Sequence, residues 1–453
     1  MVAGDRYDDM LRAIYVAHGF NSDLSFTNFN TLRESRRIQG RYTLTLTDAL
    51  LHRDFPDAIA TGYTPYDTHG RASSVLVNMG LLRYDVNPIA ARVPYRCFLP
   101  ADISNMLVCG KAISATRDAN SLVRMNADIE NAGWAMGLVS SKAVEESCAD
   151  LAELDVRAIR EALLADGSMS APLAPIMAED AIREMAERPS LEALLHCVLQ
   201  EKHAVVPRLQ ALAQSPERDM ALAFFGDESG VRAVAKMLDH AEDISDYDML
   251  RASRGYGLAR TQFEGELAPY FKINCMISIL GVSANPAGLD AVLRFAEKAT
   301  SGGPMVEGEG PYHKRRVDSR VVPCFDRLAA LAFALERFGS PKAIPALERI
   351  LNDPYVSGYD QTNARETINY PCGAWLELAL ARALARSGGI AGYRRLAKYA
   401  DDPRAVMRMH ANRELAELTG RPGEALRKAE WDACIDSMDA FVAQPCKMAV
   451  TID

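Results

Sequence analysis

Four stretches in the later part of the chain share one pattern, and that pattern restricts the region to helices. They are GDESGVRAVAKMLD from Gly226, SANPAGLDAVLRFAEKA from Ser283, GSPKAIPALERILND from Gly339 and SGGIAGYRRLAKYADD from Ser387. Each opens on a turn of small residues and continues with apolar positions at helical spacing. In three of them an apolar helix precedes the turn, at Met276–Leu280, Leu328–Leu335 and Leu376–Leu384. A recurring helix–turn–helix unit cannot bury its apolar face alone, so successive units stack. Two insertions, about 300–323 and about 352–373, lengthen the spacing between units. Insertions of matching phase emerge on one face of such a stack and are candidates for covering a partner or substrate; loop length without purpose is the plain alternative.

The chain changes character near residue 150. Its 453 residues are enough for two or three domains. We expect an α+β part over 1–149 followed by an all-α part over 150–453. In the first part, Tyr7, Met10, Leu11, Ile14 and Tyr15 fall on one helical face. The alternation in RYTLTL (41–46) predicts a half-buried strand, and Asp48 a helix cap. Further strands are expected at Val75–Val77 and Tyr95–Leu99. Met106–Cys109 form a continuous apolar run ended by Gly110, as in a strand buried on both faces. A long helix is expected from about Asn126 to Glu146, with Ile129, Gly133, Met136, Gly137 and Val144 inward.

Composition excludes several classes of function. With a net charge of -9 the chain lacks the basic surface that phosphate neutralisation needs, so no nucleic acid is expected. The nine cysteines never fall in a C-x-x-C spacing, which removes support for zinc ribbons, iron–sulfur clusters and thioredoxin-like pairs. An odd, scattered count suits reduced thiols in a cytoplasmic protein. No basic-then-apolar leader opens the sequence and no run reaches transmembrane length, so no membrane role is expected. No H-E-x-x-H, G-x-S-x-G or G-x-x-x-x-G-K-[ST] motif occurs, and no metal site is expected.

One strand–turn–helix is suited to chemistry. A strand ending in Gly110 lets backbone approach a ligand without a Cβ in the way. The helix that follows aims free N–H groups and partial positive charge at the same place. Upstream lie RESRRIQGRYTLTLTD (33–48), FPDAIATGYTPYDTHG (55–70) and VPYRCFLPADISNMLVCGKAISAT (93–116). In order and spacing these motifs resemble the C-terminal half of the FAD-dependent oxidoreductase family, over roughly the first third of the chain. The helical repeats, in turn, resemble HEAT repeats.

The resemblance implies an incomplete FAD-binding α/β fold followed by a HEAT-like solenoid. It implies flavin contacts from Gly110 and Lys111 in the glycine turn, Ser114 and Thr116 in the next loop, Arg124 at the entrance to the last helix, and Gly133, Ala135 and Gly137 in its G-x-A-x-G. Arg36 and Arg37 match the paired arginines of R-E-S-R-R. Asp67 and His69 match the P-x-D-x-H turn, with His69 as candidate base for a hydroxyl proton. Against those roles, Arg36 and Arg37 could simply hold a loop, and His69 could be a solvent-facing turn residue. The chain departs from the pattern at Arg117, where the family often has histidine, at Asp128 and Glu130, and at Trp134 within G-x-A-x-G.

The family's G-x-G-x-x-G turn, which holds the FAD pyrophosphate at a helix N-terminus, does not occur in this sequence. The expectation is one subunit of a split FAD-dependent oxidoreductase. A Rossmann-type FAD-binding partner subunit shares the cofactor, hydride passes between a small polar substrate and FAD, and the assembly is a hetero-oligomer. The opening methionine and helix favour a subunit over a truncated fragment. The alternative is a non-catalytic HEAT-repeat scaffold with a vestigial flavin-binding half.

Overall fold

The computed structural model describes residues 36–64, 66, 74–82, 89–241, 268–301, 325–359, 372–421 and 423–453. The chain forms two compact units. The first comprises Met1–Ser74, Tyr84–Met177 and Ile452–Asp453; the second comprises Val75–Arg83 and Ala178–Thr451. The opening helix expected at residues 7–15, Asp67 and His69 lie outside the described residues, as does most of both insertions.

In chain order the elements up to residue 165 are α1 (Leu46–Leu50), β1 (Ala58–Thr64), α2 (Val75–Asn78, part of the second unit), β2 (Ile89–Pro94), α3 (Arg117–Asn120), α4 (Asn126–Glu145) and α5 (Arg157–Ala165). β1 and β2 pair antiparallel, with Thr61 opposite Arg92, Tyr63 opposite Ala90, and an irregularity at Ala58/Ala60. Helices α4 and α5 both pack on β1. The core joins Leu44, Leu46, Ile59, Phe98, Leu122 and Val139, all nearly inaccessible to solvent. Burying each such side chain stabilises the unit by about 2 kcal/mol.

Four expected strands take other forms. Residues 41–46 do alternate, with Leu44 and Leu46 buried and Arg41 and Thr43 exposed. Among the described residues they make one isolated bridge, Leu44 to Ala115, and Gly40 just before them makes another, to Pro100. Regular pairing stops because the Thr45 hydroxyl accepts the Asp48 N–H and starts α1 at Leu46. Val75–Val77 lie in a helical turn, since three apolar residues carry no period of their own. Around Tyr95–Leu99, the strand is the preceding Ile89–Pro94. Residues Tyr95–Cys97 turn into a 3₁₀ helix because Asp57 takes the N–H of Tyr95 on its carbonyl (2.8 Å) and that of Arg96 on its carboxylate (3.3 Å). Met106–Cys109 are not a strand: Met106 and Cys109 are exposed, and among the described residues no strand flanks them. A strand buried on both faces needs neighbours and covering layers, and the described residues of the first unit supply none at this run.

Helix α4 forms where expected, but rotated. Asp128, Ala132, Ala135, Met136, Val139 and Ala143 are inward, while Gly133, Gly137 and Val144 face out. Inside choice follows the face that meets β1, and a mixed sequence of small residues leaves that choice open.

All the regular elements among the second unit's remaining described residues are helices. They include α6 (Ala178–Glu187), α7 (Leu191–Val198), α8 (Lys202–Ala211), α9 (Pro216–Phe224), α10 (Glu228–Asp239), α11 (Ala268–Ser283), α12 (Leu289–Lys298), α13 (Phe325–Phe338), α14 (Ile344–Leu351), α15 (Cys372–Arg386), α16 (Ile390–Tyr399), α17 (Ala405–Leu418) and α18 (Lys428–Asp436). All four sequence turns join helices, at α9–α10, α11–α12, α13–α14 and α15–α16. Asp227 caps the second helix of the first directly, while Asn285 and Ser340 cap short 3₁₀ turns that run into the second helices of the next two. Neighbouring helices pack in sequence, α9 on α10, α11 on α13, α13 on α15 and α15 on α16. At α15–α16 the approach is so close that a Cβ on Gly392 would lie 2.3 Å from the Ala385 nitrogen. No helix among the described residues is long and apolar enough to cross a membrane.

Buried ionisable groups in the first unit make its stability pH-dependent. Burial pushes the Cys97 thiol up to about 12 from 9.0. Burial, and then the Asp48 charge, push the Tyr42 hydroxyl up to about 12 from 10.0. Both groups are neutral in the folded state, so their contribution is full below about pH 9 and is lost as pH rises towards 12. A urea-unfolding series between pH 8 and 11 is expected to show falling stability, and Cys97→Ala to flatten that fall. Equal slopes in both proteins would disprove the assignment to Cys97.

Candidate functional site

The motif region folds as a frame of threaded segments. Residues 38–45 run between 96–101 on one side and 112–116 on the other. Arg41 N–H donates to Leu99 O (3.0 Å) and Tyr42 N–H to Arg96 O (3.3 Å). On the opposite edge Ile38 N–H donates to Ala112 O (2.9 Å), Leu44 N–H to Ser114 O (3.1 Å) and Thr116 N–H to Leu44 O (2.8 Å). A Cβ on Gly40 would sit 2.6 Å from Ser114 Cβ, so the glycine of R-R-I-Q-G is required by this crossing. The motif arginines Arg36 (exposed) and Arg37 (half-buried) lie just before it.

Two motifs are tied together by one pair. The Arg96 guanidinium grips the Asp57 carboxylate through Nε (2.9 Å) and Nη2 (3.2 Å), and stacks over the Tyr42 ring at 5.1 Å. Thus F-P-D, P-Y-R and R-Y each contribute one member of a single scaffold contact.

The glycine turn and the long helix come together. Gly110 adopts φ +77, the left-handed region that favours glycine. Among the described residues the one atom within 4 Å of a Cβ built there is Ile129 Cγ2, at 3.9 Å, in the first turns of α4. The turn therefore lies beside the helix start, and no other described residue crowds its backbone. That helix start has Met125 as its N-cap residue and no side-chain cap. Its free N–H groups and partial positive charge suit an electron-rich ligand edge. Asp128, one of the acids that could oppose such an edge, is engaged sideways. It accepts from the Tyr63 N–H at 3.0 Å and the Thr64 hydroxyl at 2.5 Å, holding the end of β1.

The other candidate residues divide between frame and surface. Ser114 is buried, its Oγ 2.9 Å from Thr43 Oγ1. Thr116 caps α3 by accepting the Ala119 N–H. Lys111 is half-buried in the turn and Arg124 is buried. Ala135 packs inward, while Gly133 and Gly137 lie on the outer face of α4, where a Cβ at either would meet nothing within 4 Å. Trp134 stands between them, 56% exposed. The structure thus brings Gly110, Lys111 and the start of α4 together and sets Gly133 and Gly137 on another surface.

Three residues escaped the sequence reading. Asp118 is fully buried; one carboxylate oxygen accepts from the Tyr66 hydroxyl (2.6 Å) and the Ser74 N–H (2.8 Å), and Arg117 pairs with the other at 3.5 Å. Arg117, the departure from the family's histidine, is accounted for by that pair. Gly62 on β1 lies against residues 122 and 123; a Cβ there would be 2.4 Å from Leu122 O. Asn120 is buried with neither amide atom hydrogen-bonded among the described residues. The sequence signal for Asp118 is the T-x-D step that opens a helix; Gly62 and Asn120 carry none.

Comparison with known families settles what this segment resembles. Residues 20–163 match the family model for FAD dependent oxidoreductase. No curated protein and no solved structure matches the chain. The cofactor this family implies is FAD, and the FAD-oxidoreductase segment fits part of it. The open turn at Gly110, the uncapped start of α4 and the orphaned Asn120 amide suit a polar ring edge. The described sheet is a two-stranded antiparallel pair. Among the described residues there is no parallel βαβ unit of the kind that cradles a pyrophosphate.

Proposed function

We propose that this chain is one subunit of a split FAD-dependent oxidoreductase, completing a flavin and substrate pocket with a partner subunit that carries the G-x-G-x-x-G unit. The observation that carries the reading is the outer face of α4. Two glycines in the interior of an exposed helix cost about 1 kcal/mol each relative to alanine, and nothing among the described residues approaches Gly133 or Gly137 to require them. A backbone packed closely from outside does require them. Trp134, next to Gly133 and 56% exposed, offers apolar area to such a neighbour.

In the assembled enzyme FAD supplies the hydride acceptor or donor. This chain's part is positioning. The Gly110 turn admits the ligand backbone-close, the start of α4 supplies partial positive charge, and Arg36 and Arg37 anchor a small polar substrate. His69 is the proposed base that takes a substrate hydroxyl proton. The second unit is read as a HEAT-like solenoid that holds the partner, and the assembly as a cytoplasmic hetero-oligomer.

A pull-down of tagged chain from its native host tests the proposal. The expected result is a co-purifying G-x-G-x-x-G protein and the absorbance of oxidised flavin. Trp134→Glu is expected to leave the chain folded and to weaken partner capture at least about tenfold. A colourless preparation, or equal capture by Trp134→Glu, would refute the shared-pocket reading. The non-catalytic scaffold is then favoured by a specific observation: Ser114, Thr116, Asp128, Asp57 and Arg96 are all spent on contacts within the frame.

A further inference from the structure

The two faces of the sheet carry different chemistry. Gly62 and Thr64 point towards the residues that lead into and begin α4. Thr61 points to the opposite face, where its hydroxyl accepts from Nη1 of Arg92, its cross-strand partner, at 2.8 Å. Two further charged groups join Arg92 there. Its Nε lies 3.5 Å from Asp54 Oδ1, and Arg160 Nη2 from α5 reaches Asp54 Oδ2 at 2.7 Å.

This cluster is unbalanced in charge and in hydrogen bonds. Two guanidiniums share one carboxylate, which leaves one positive charge over. The Arg92 side chain is 5% exposed, Arg160 20% and Asp54 29%, so the cluster is closed at Arg92 and opens towards solvent at Asp54. Among the described residues, three of its buried polar atoms have no hydrogen-bond partner: Arg92 Nη2, Arg160 Nε and Asp54 Oδ1. Native interiors rarely leave even one such atom unsatisfied. Here two unused N–H donors and one unused acceptor sit in one place.

We propose that Arg92 and Arg160 bind a small planar oxoanion, a carboxylate or bicarbonate, beside Asp54. Guanidinium groups match planar oxoanions in shape as well as charge, which an isolated ammonium does not. The anion accepts from Arg92 Nη2 and Arg160 Nε and cancels the surplus charge. Bicarbonate also carries a hydroxyl, which donates to Asp54 Oδ1 and satisfies the third atom. Burial, with Arg160 alongside, lowers the Arg92 guanidinium from its ordinary range, as expected of a cation short of anionic partners. The site is independent of any flavin, because it occupies the sheet face away from α4.

The test uses the full chain, with any partner that co-purifies, and follows its thermal midpoint during titration with formate, bicarbonate or chloride at constant ionic strength. A saturable rise with formate or bicarbonate beyond that with chloride is expected. Arg160→Gln is expected to weaken it about tenfold, the loss of one charge-assisted hydrogen bond. Arg157→Gln, on the same helix but paired with Asp155 in solvent, is expected to keep it. A stronger effect of bicarbonate than of formate assigns the hydroxyl contact to Asp54. If Arg160→Gln fails to fold, Arg160→Lys retains charge but not the planar fork and is expected to weaken binding too. No response beyond chloride, or an unchanged response in the Arg160 variant, would overturn the proposal and leave the cluster simply hydrated.

Discussion

Asp118→Ala is expected to destabilise the first unit by about 3–5 kcal/mol, enough to unfold a marginal domain. The carboxylate is fully buried and serves three groups at once. Its removal takes a buried acceptor from the Tyr66 hydroxyl and the Ser74 N–H and an anionic partner from Arg117. Each abandoned buried donor costs about 1–3 kcal/mol, more than the hydrogen bond was worth net. Asp118→Asn keeps one acceptor oxygen and is expected to lose less, about 1–3 kcal/mol. Urea unfolding followed by circular dichroism measures both. An Asp118→Ala protein within 1 kcal/mol of the parent, by that rough scale, would show that the tyrosine and the backbone find other partners. The functional consequence follows from position. Asp118 sits in α3, which leads through Leu122–Arg124 into the start of α4, so any flavin bound with a partner is expected to be lost as well.

Gly62→Val is expected to be nearly as damaging, for a steric reason. The position faces the Leu122 carbonyl and the Val123 side chain, and a Cβ would lie 2.4 Å and 2.6 Å from them. The carbonyl belongs to backbone and cannot rotate away as a side chain would. β1 and the 122–123 segment must separate, which opens the core at Leu122 and pulls Thr64 from Asp128. Overpacking of this kind costs typically about 1–3 kcal/mol, and the lost hydrogen bonds add to it. Gly62→Ala meets the same carbonyl and is expected to destabilise in the same direction by less. Amide hydrogen exchange gives a local reading: the first turns of α4 are expected to lose protection before the second unit does. Unchanged protection there would mean that the strand and the segment slide apart without disturbing the helix.

These variants also separate the two functional readings. Both Asp118 and Gly62 act on the frame, while Trp134 lies on a surface that the frame does not use. If the outer face of α4 is a partner interface, Trp134→Glu removes capture without touching stability. If the chain is a scaffold that needs only its fold, frame variants fail and Trp134→Glu is silent.

Local chemistry in the sequence determined a good deal. The four small-residue turns do join helices, because Gly, Ser, Asn and Asp supply the caps and left-handed turns that end one helix and begin the next. Gly110 stands at positive φ, and the long helix runs from Asn126, as its sequence dictates. The motif order around residues 33–137 pointed to the family that residues 20–163 match. Pairing and facing were decided only by the tertiary structure. Apolar runs such as Met106–Cys109 and Val75–Val77 read as strands, but a strand exists only where a neighbour offers a ladder, and none of the described residues offers one there. α4 buries Ala132 and Val139 rather than Gly133 and Gly137 because β1 meets it on that side, which no helical period states. Asp57 and Arg96, Asp118 and Tyr66, and Asp54 and Arg160 are distant in sequence and bound in space. A charged residue's sequence neighbours do not say whether it will meet ligand, solvent or another charge; its burial and its partners do, and both are properties of the folded chain.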